Sequence, residues 1–284
     1  METILEETKF IMKKYNIRAN KKLGQNFLIN EEVVTNIVNA SNIKKQDLII
    51  EIGPGLGTLT KYLLEKAGKV ICIELDKKMV QILNDRFYLY NNFELINNDV
   101  LKVDLNSIIE KEKQVGNIKN AKIVANLPYY ITTPIIMKLL EEKLDLESIT
   151  VMIQKEVADR LIAIPGSKNT GAITYTVYYY ADSKSIMEVP NSSFIPEPDV
   201  TSEVIKLNIR KEPIVMPKDT EKMFKIIKLA FTQKRKTLIN SLTNNKIFKD
   251  KEEGKEFLTA LKINENCRPE ELTLEQFAEI SNNL

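Results

Sequence analysis

Apolar and polar residues alternate along the first half of this chain in blocks that change period, from short continuous apolar runs to one-sided helical spacing and back. The runs at 48–52, 70–73, 93–96, 121–125 and 148–154 are too short for buried helices and are bounded by polar turn residues, so they predict buried strands. Helical spacing follows the first run from Thr58, through Leu59, Tyr62, Leu63 and Leu64. It follows the fourth run through residues 131–140, with a Thr as N-cap and Pro134 near the first turn. It follows the fifth through 155–164. Two more strands are predicted at 186–189 and 202–209, joined by a stretch that three prolines hold extended, Pro190, Pro196 and Pro198.

This alternation describes an α/β fold with a mainly parallel seven-stranded sheet. Residues 2–15 predict an amphipathic helix, 21–28 an ordered loop without period, and a further helix starts at Asn30 or Glu31. Residues 171–180 are Tyr-rich and predicted helical, 211–218 hold two prolines and read as a linker, and from Asp219 onward only helical patterns occur. The domains expected are therefore 1–210, with an N-terminal extension, and a small all-α domain at 211–284.

Composition narrows the chemistry. The 284 residues contain no histidine and two cysteines, which removes Ser-His-Asp and Cys-His catalysis and His-ligated metal sites. Cys72 falls inside an apolar strand and reads as a small buried hydrophobe. The longest apolar runs stay short of the ~18 residues of a membrane span, and Glu2, Glu6 and Glu7 are foreign to a signal peptide. No metal, no membrane and a cytoplasmic location are the expectations. The net charge is only +2, yet bases cluster at Lys9, Lys13, Lys14, Arg18, Lys21 and Lys22, and again at Lys222, Lys225, Lys228, Lys234, Arg235 and Lys236. Two such clusters suit a polyanion, although either alone also suits a solvated helix face.

The polar residues at the strand ends carry the site. Gly53-Pro54-Gly55-Leu56-Gly57 follows the first strand, Glu74 ends the second, Asp99 follows the third, and Asn126-Leu127-Pro128-Tyr129-Tyr130 follows the fourth. In an open α/β sheet these carboxyl ends line the ligand crevice. A Gly turn opening a helix lets a ligand approach the backbone, and a carboxylate one strand further can take both hydroxyls of a ribose. The glycines are spaced G-x-G-x-G, unlike the dinucleotide fingerprint, and no Lys follows as a Walker loop requires. Taken singly, Glu74 and Asp99 suit turn or capping positions equally well, and Asn126 to Tyr130 suits a tight turn.

Together these motifs resemble those of class I methyltransferases that use S-adenosylmethionine and act on adenine amines, a Rossmann-like fold. Lys22-Leu23-Gly24-Gln25-Asn26-Phe27-Leu28, Phe194-Ile195-Pro196-Glu197-Pro198 and Phe231-Thr232-Gln233-Lys234-Arg235-Lys236-Thr237-Leu238 narrow the resemblance to the KsgA family. That family dimethylates two adjacent adenosines near the 3′ end of 16S ribosomal RNA in the small subunit. The resemblance spans nearly the whole chain, with 2–17 as a less typical extension.

The resemblance implies that Asn26 and Leu28 border the cofactor, that Gly53, Gly55 and Gly57 pass under its methionine part, and that Glu74 holds the ribose and Asp99 the adenine amine. It implies Asn126, Leu127, Pro128 and Tyr129 as the catalytic motif, with Asn126 touching both cofactor and substrate. The side-chain carbonyl of Asn126 and the backbone carbonyl of Pro128 are expected to accept the two amine hydrogens. Tyr129 is expected to stack on the extruded base, Phe194 to cover its other face or edge, and Tyr130 to serve packing. Lys22, Lys234, Arg235 and Lys236 are expected at RNA phosphates, which makes 211–284 an RNA-binding domain. The partner implied is 16S ribosomal RNA within the small subunit or its precursor, approached by a monomer. The alternatives are a large-subunit ribosomal RNA methyltransferase of the macrolide-resistance type, a factor whose main duty in small-subunit assembly is binding, and a small-molecule methyltransferase.

Overall fold

A computed structural model describes residues 3–19, 24–115, 117–167, 169–233 and 235–284. Lys21, Lys22 and Lys234 therefore lie outside the described residues. Along the chain run α1 (Ile4–Lys14), β1 (Phe27–Leu28), α2 (Glu31–Ala40), β2 (Asp47–Ile52), α3 (Thr58–Lys66), β3 (Lys69–Glu74), α4 (Lys77–Phe87) and β4 (Phe93–Asn97). Then come α5 (Leu105–Val115), β5 (Asn120–Asn126), α6 (Thr132–Glu141), β6 (Ser148–Gln154), α7 (Lys155–Ile162), α8 (Ala172–Tyr180), β7 (Ala181–Val189), β8 (Phe194–Ile195) and β9 (Ser202–Ile209). Four more helices follow: α9 (Thr220–Ala230), α10 (Leu238–Asn244), α11 (Lys251–Ala260) and α12 (Leu274–Asn283).

The chain divides into two compact units, Met1–Ala158 with Ser183–Ile209, and Asp159–Asp182 with Arg210–Leu284. The first is built on a seven-stranded sheet in the order β4-β3-β2-β5-β6-β9-β7. Pairs β4–β3, β3–β2, β2–β5 and β5–β6 are parallel, and β6–β9 is antiparallel. The apolar runs are buried where helices cover the sheet: all six residues of β2 are buried, as are five of the seven in β5. That continuous burial is why they read as apolar runs, interrupted only by the buried Glu51 and Lys122. The edge strand β7 begins five residues before its predicted start, because Asp182 to Ser185 are polar and give no strand period. At the amino edge of the sheet the buried Lys122 ammonium lies 2.7 Å from the Asp47 carboxylate and donates to the Asn42 carbonyl at 2.7 Å. This pair ties together β2 and β5, the two strands whose far ends carry the site.

Two departures from expectation have a common cause. Residues 27 and 28 form a strand rather than only a loop, paired antiparallel with β8 so that Phe27 faces Ile195 and Leu28 faces Phe194. The partner is so distant in sequence that no local pattern announces it. Residues 159–182 lie with the second unit, where one boundary at 210 was expected. Tyr175 on α8 is buried among the C-terminal helices, its ring 5.0 Å from that of Phe277 and its hydroxyl donating to the Pro269 and Leu272 carbonyls at 3.0 and 2.7 Å. A buried phenol needs such acceptors, and this unit provides them.

Candidate active site

Four parallel strands deliver their carboxyl ends to one edge of the first unit. The order β4-β3-β2-β5-β6 places the chain reversal between β2 and β5, and crevices form at such switch points. The Gly loop leaves β2 and the Asn126 motif leaves β5, so the two flank the crevice. Gly53, Gly55 and Gly57 take φ values of 65°, 57° and 81°, a left-handed backbone that residues with a Cβ adopt only at a cost. The loop is pinned by the Gly53 N–H to the Ile73 carbonyl at 2.9 Å and by the Gly57 N–H to the Pro54 carbonyl at 2.9 Å.

Glu74, at the end of β3, is buried and accepts the Gly55 N–H at 3.2 Å and the Asp76 N–H at 2.8 Å. Burial pushes its carboxyl above the usual range, and the backbone N–H groups of Asp76, Gly55 and Leu75 partly offset this. A carboxylate offers about four acceptor sites, so Glu74 keeps acceptor capacity for a ligand. Asp99 lines the same cleft, and one of its oxygens caps the turn at Val100–Lys102 by accepting the Leu101 N–H at 3.0 Å. The capping and ligand readings of Asp99 are thus compatible, since its second oxygen is not used by the cap.

From the N-terminal loop, Asn26 and Leu28 reach the cleft. Gln25 anchors this loop by donating to Asp76 at 2.9 Å. The Asn126 amide nitrogen donates to the Asn26 carbonyl at 3.4 Å, which leaves its carbonyl oxygen as the acceptor available to a ligand. Next to it the Pro128 carbonyl already accepts the Ile131 N–H at 3.3 Å and the Thr132 hydroxyl at 3.1 Å. Thr132 therefore serves this bond rather than capping α6, whose N-cap position is Ile131. Both Pro128 lone pairs are filled, whereas the Leu127 carbonyl receives no hydrogen bond among the described residues. Tyr129 is half-buried, and its hydroxyl is hydrogen-bonded to that of Ser202.

Two residues depart from their expected settings, and a third had no expected role. Phe194, expected against the substrate base, is 1 % exposed in the core, because pairing with Leu28 draws this segment into the first unit. Tyr130, expected to serve packing, is 52 % exposed and lines the cleft, with its ring 3.4 Å from where a Cβ on Gly24 would sit. Glu51, inside β2, was not singled out by the sequence, yet it lines the cleft at 1 % exposure. It accepts the Thr60 hydroxyl at 2.6 Å and the Cys72 thiol at 3.5 Å. The signal that marks it is a carboxylate interrupting an apolar strand directly before a Gly loop. Arg235 and Lys236 are exposed in the second unit, between α9 and α10.

Burial drives the Glu51 carboxyl up to about 7, against the hydrogen bonds from Thr60 and Cys72 that lower it, with the charge of Glu74 adding to the rise. The folded protein then holds a proton that the unfolded chain releases near 4.5. This contribution to stability is complete below the unfolded value and is lost as the pH rises through about 7. Glu51→Gln is expected to flatten the fall in stability between those two values, a change on the order of 3 kcal/mol at most. Urea unfolding of both proteins across that range measures it, and equal slopes would remove the buried proton from Glu51.

The cleft is open to solvent and runs from the N-terminal loop past the Gly loop and Glu74 to Asp99 and the Asn126 motif. Its donor and acceptor set fits S-adenosylmethionine: a carboxylate placed for a diol, a turn whose three glycines leave the backbone open to close approach, and apolar walls at Leu75 and Val100. Among the described residues no group of three or more carboxylates or thiols could hold a metal, and no helix is long and apolar enough to cross a membrane.

Comparison with known proteins agrees with this chemistry. The family model described as ribosomal RNA adenine dimethylase matches residues 16–284. The ribosomal RNA small subunit methyltransferase A of Alkaliphilus oremlandii is 47 % identical over 279 residues, covering 98 % of this chain and 96 % of that protein. The protein of the same name from Bacillus pumilus is 45 % identical over 279 residues, covering 97 % and 94 %. A crystal structure of a dimethyladenosine transferase from Plasmodium falciparum superposes with a TM-score of 0.70 at 27 % identity, covering 89 % of this chain and 95 % of that one. The chain belongs to the ribosomal RNA adenine dimethylase family, whose members methylate adenine in ribosomal RNA with S-adenosylmethionine as cofactor.

Proposed function

We propose that this enzyme dimethylates the exocyclic amines of two adjacent adenosines in the 3′-terminal hairpin of 16S ribosomal RNA, acting as a cytoplasmic monomer on the small subunit or its precursor. The observation that carries the reading is the pair of unfilled acceptors at the end of β5, the Asn126 side-chain carbonyl and the Leu127 backbone carbonyl. The near full-length likeness to small-subunit methyltransferases supports the choice of RNA.

An adenine amine is a poor nucleophile because its lone pair is delocalised into the ring. When bound, S-adenosylmethionine supplies an activated methyl group, so the protein need only orient the amine. Asn126 Oδ1 and the Leu127 carbonyl accept the two amine hydrogens and favour a pyramidal nitrogen. Leu127 replaces Pro128 in this role because the Pro128 carbonyl has no lone pair left. Tyr129 stacks on the base, its ring held by the bond to Ser202. Such stacking contributes roughly 1–3 kcal/mol. Glu74 holds the ribose, Asp99 the adenine amine, and the Gly loop with Asn26 and Leu28 encloses the methionine part. The core position of Phe194 removes it from this role.

The second unit is an RNA-binding domain, with Arg235 and Lys236 at phosphates. Its affinity falls with salt, and the RNA fold supplies specificity. Incubating the purified protein and labelled S-adenosylmethionine with small and large ribosomal subunits from a strain lacking it tests the substrate. Dimethyladenosine at two adjacent positions of the 3′ hairpin is the expected result. Label confined to large-subunit RNA overturns the reading.

A further inference from the structure

The family match begins at residue 16, so α1 stands outside it, and its charged residues have no place in the chemistry above. The helix is nonetheless firmly built. Thr3 and Glu6 form a capping box, and Ile4, Thr8 and Ile11 are buried. Ile11 shares one apolar cluster with Ile17, Phe27, Leu56, Met79 and Ile82, and Leu56 belongs to the Gly loop.

Charged groups follow the same route. The Glu7 carboxylate pairs with one nitrogen of the Arg86 guanidinium, and the other terminal nitrogen donates to the Leu56 carbonyl. Arg86 on α4 is largely buried. Burial disfavours its charge, and Glu7 is the first group to offset that cost. The planar fork of a guanidinium can satisfy two acceptors in fixed directions. Without Glu7 it loses the anchor that sets its plane. Lys61 also approaches Glu7, at 3.5 Å, but its side chain is half-exposed, and among the described residues its ammonium makes no hydrogen bond to the loop. On the cleft side, the Gly55 N–H next to Leu56 meets Glu74. A displacement of Leu56 therefore reaches the carboxylate assigned to the ribose within one residue.

We propose that α1 is a positioning element for the cofactor loop: Glu7 orients Arg86, and Arg86 fixes the Leu56 carbonyl and so the turn that receives S-adenosylmethionine. The proposal rests on the cleft being the cofactor site. It makes cofactor affinity depend on a helix outside the matched family region, and it leaves the amine acceptors at the end of β5 untouched.

Calorimetric titration of the full-length protein with S-adenosylhomocysteine tests this directly. Arg86→Met is expected to weaken binding about 10-fold and Glu7→Gln about 3-fold, the scale of one charge-assisted bond and of its orienting partner. Lys61→Met should bind as the wild type does. The double variant should be no weaker than Arg86→Met alone, since both substitutions break one relay. With cofactor saturating, kcat and the RNA KM should stay at wild-type values for Glu7→Gln. A merely structural role predicts a lower melting temperature with unchanged affinity in the folded protein, or losses that add in the double variant. Either result overturns the proposal. Should Arg86→Met fail to fold, Glu7→Gln and Arg86→Lys decide, because Lys keeps the charge but cannot reach both acceptors in the fork geometry. Wild-type protein that binds S-adenosylhomocysteine but leaves small subunits unmethylated would refute the substrate reading and not this one.

Discussion

Asn126→Ala is expected to lower kcat for methyl transfer at least ~10²-fold, while the protein stays folded and binds S-adenosylhomocysteine within about 10-fold of wild type. The loss follows from orientation. The substitution removes one of two acceptors that hold the amine, and an amine free to rotate keeps its lone pair in the ring. Stability is spared because Asn126 lies at the end of β5, partly exposed, and its one side-chain bond among the described residues, to the Asn26 carbonyl, is long at 3.4 Å. Removing a bond of that kind costs about 1 kcal/mol or less. Asn126→Asp sharpens the test. It keeps an acceptor but has no N–H for Asn26, so its expected activity lies between wild type and alanine. Single-turnover rates on small subunits, with melting curves beside them, provide the comparison. Near-normal turnover by Asn126→Ala would show that the amine is held elsewhere.

Gly57→Ala is expected to damage stability and cofactor binding together. A Cβ at Gly57 would lie 2.5 Å from Phe87 Cε2 and 2.9 Å from both Phe87 Cζ and Leu83 Cδ2, at a φ of +81°. Left-handed backbone and overpacking together cost about 2–4 kcal/mol, which lowers the melting temperature by roughly 5–10 °C in a protein of this size. Leu83 and Phe87 are buried on α4 and cannot withdraw into solvent, so the Gly loop must move instead. Binding of S-adenosylhomocysteine should weaken at least ~10-fold. Gly171→Ala is the matched control: a Cβ there meets nothing within 4 Å. Should Gly57→Ala melt and bind as Gly171→Ala does, the loop is not constrained by α4.

Much of this protein is legible along the chain because the physics that shapes it is local. Burial on both faces produces the continuous apolar runs of β2, β3, β5 and β6. Positive φ demands the glycines after β2, and parallel strands bring Glu74, Asp99 and Asn126 to one edge whatever the packing details. Those residue types point to an adenosine-containing cofactor, and the resemblance of the motifs to a known family adds the methyl donor and the target amine. What tertiary structure alone decided are matters of distant neighbours. Which carbonyl of the Asn126 motif remains open depends on where Ile131 and Thr132 point. Phe194 lies in the core because β8 meets β1. Residues 159–182 lie with the C-terminal helices because Tyr175 finds its acceptors there. The link from Glu7 through Arg86 to Leu56 joins three segments with no shared period. A sequence records which groups must be buried or paired, but the identity of a partner far along the chain is settled only when packing brings the two together.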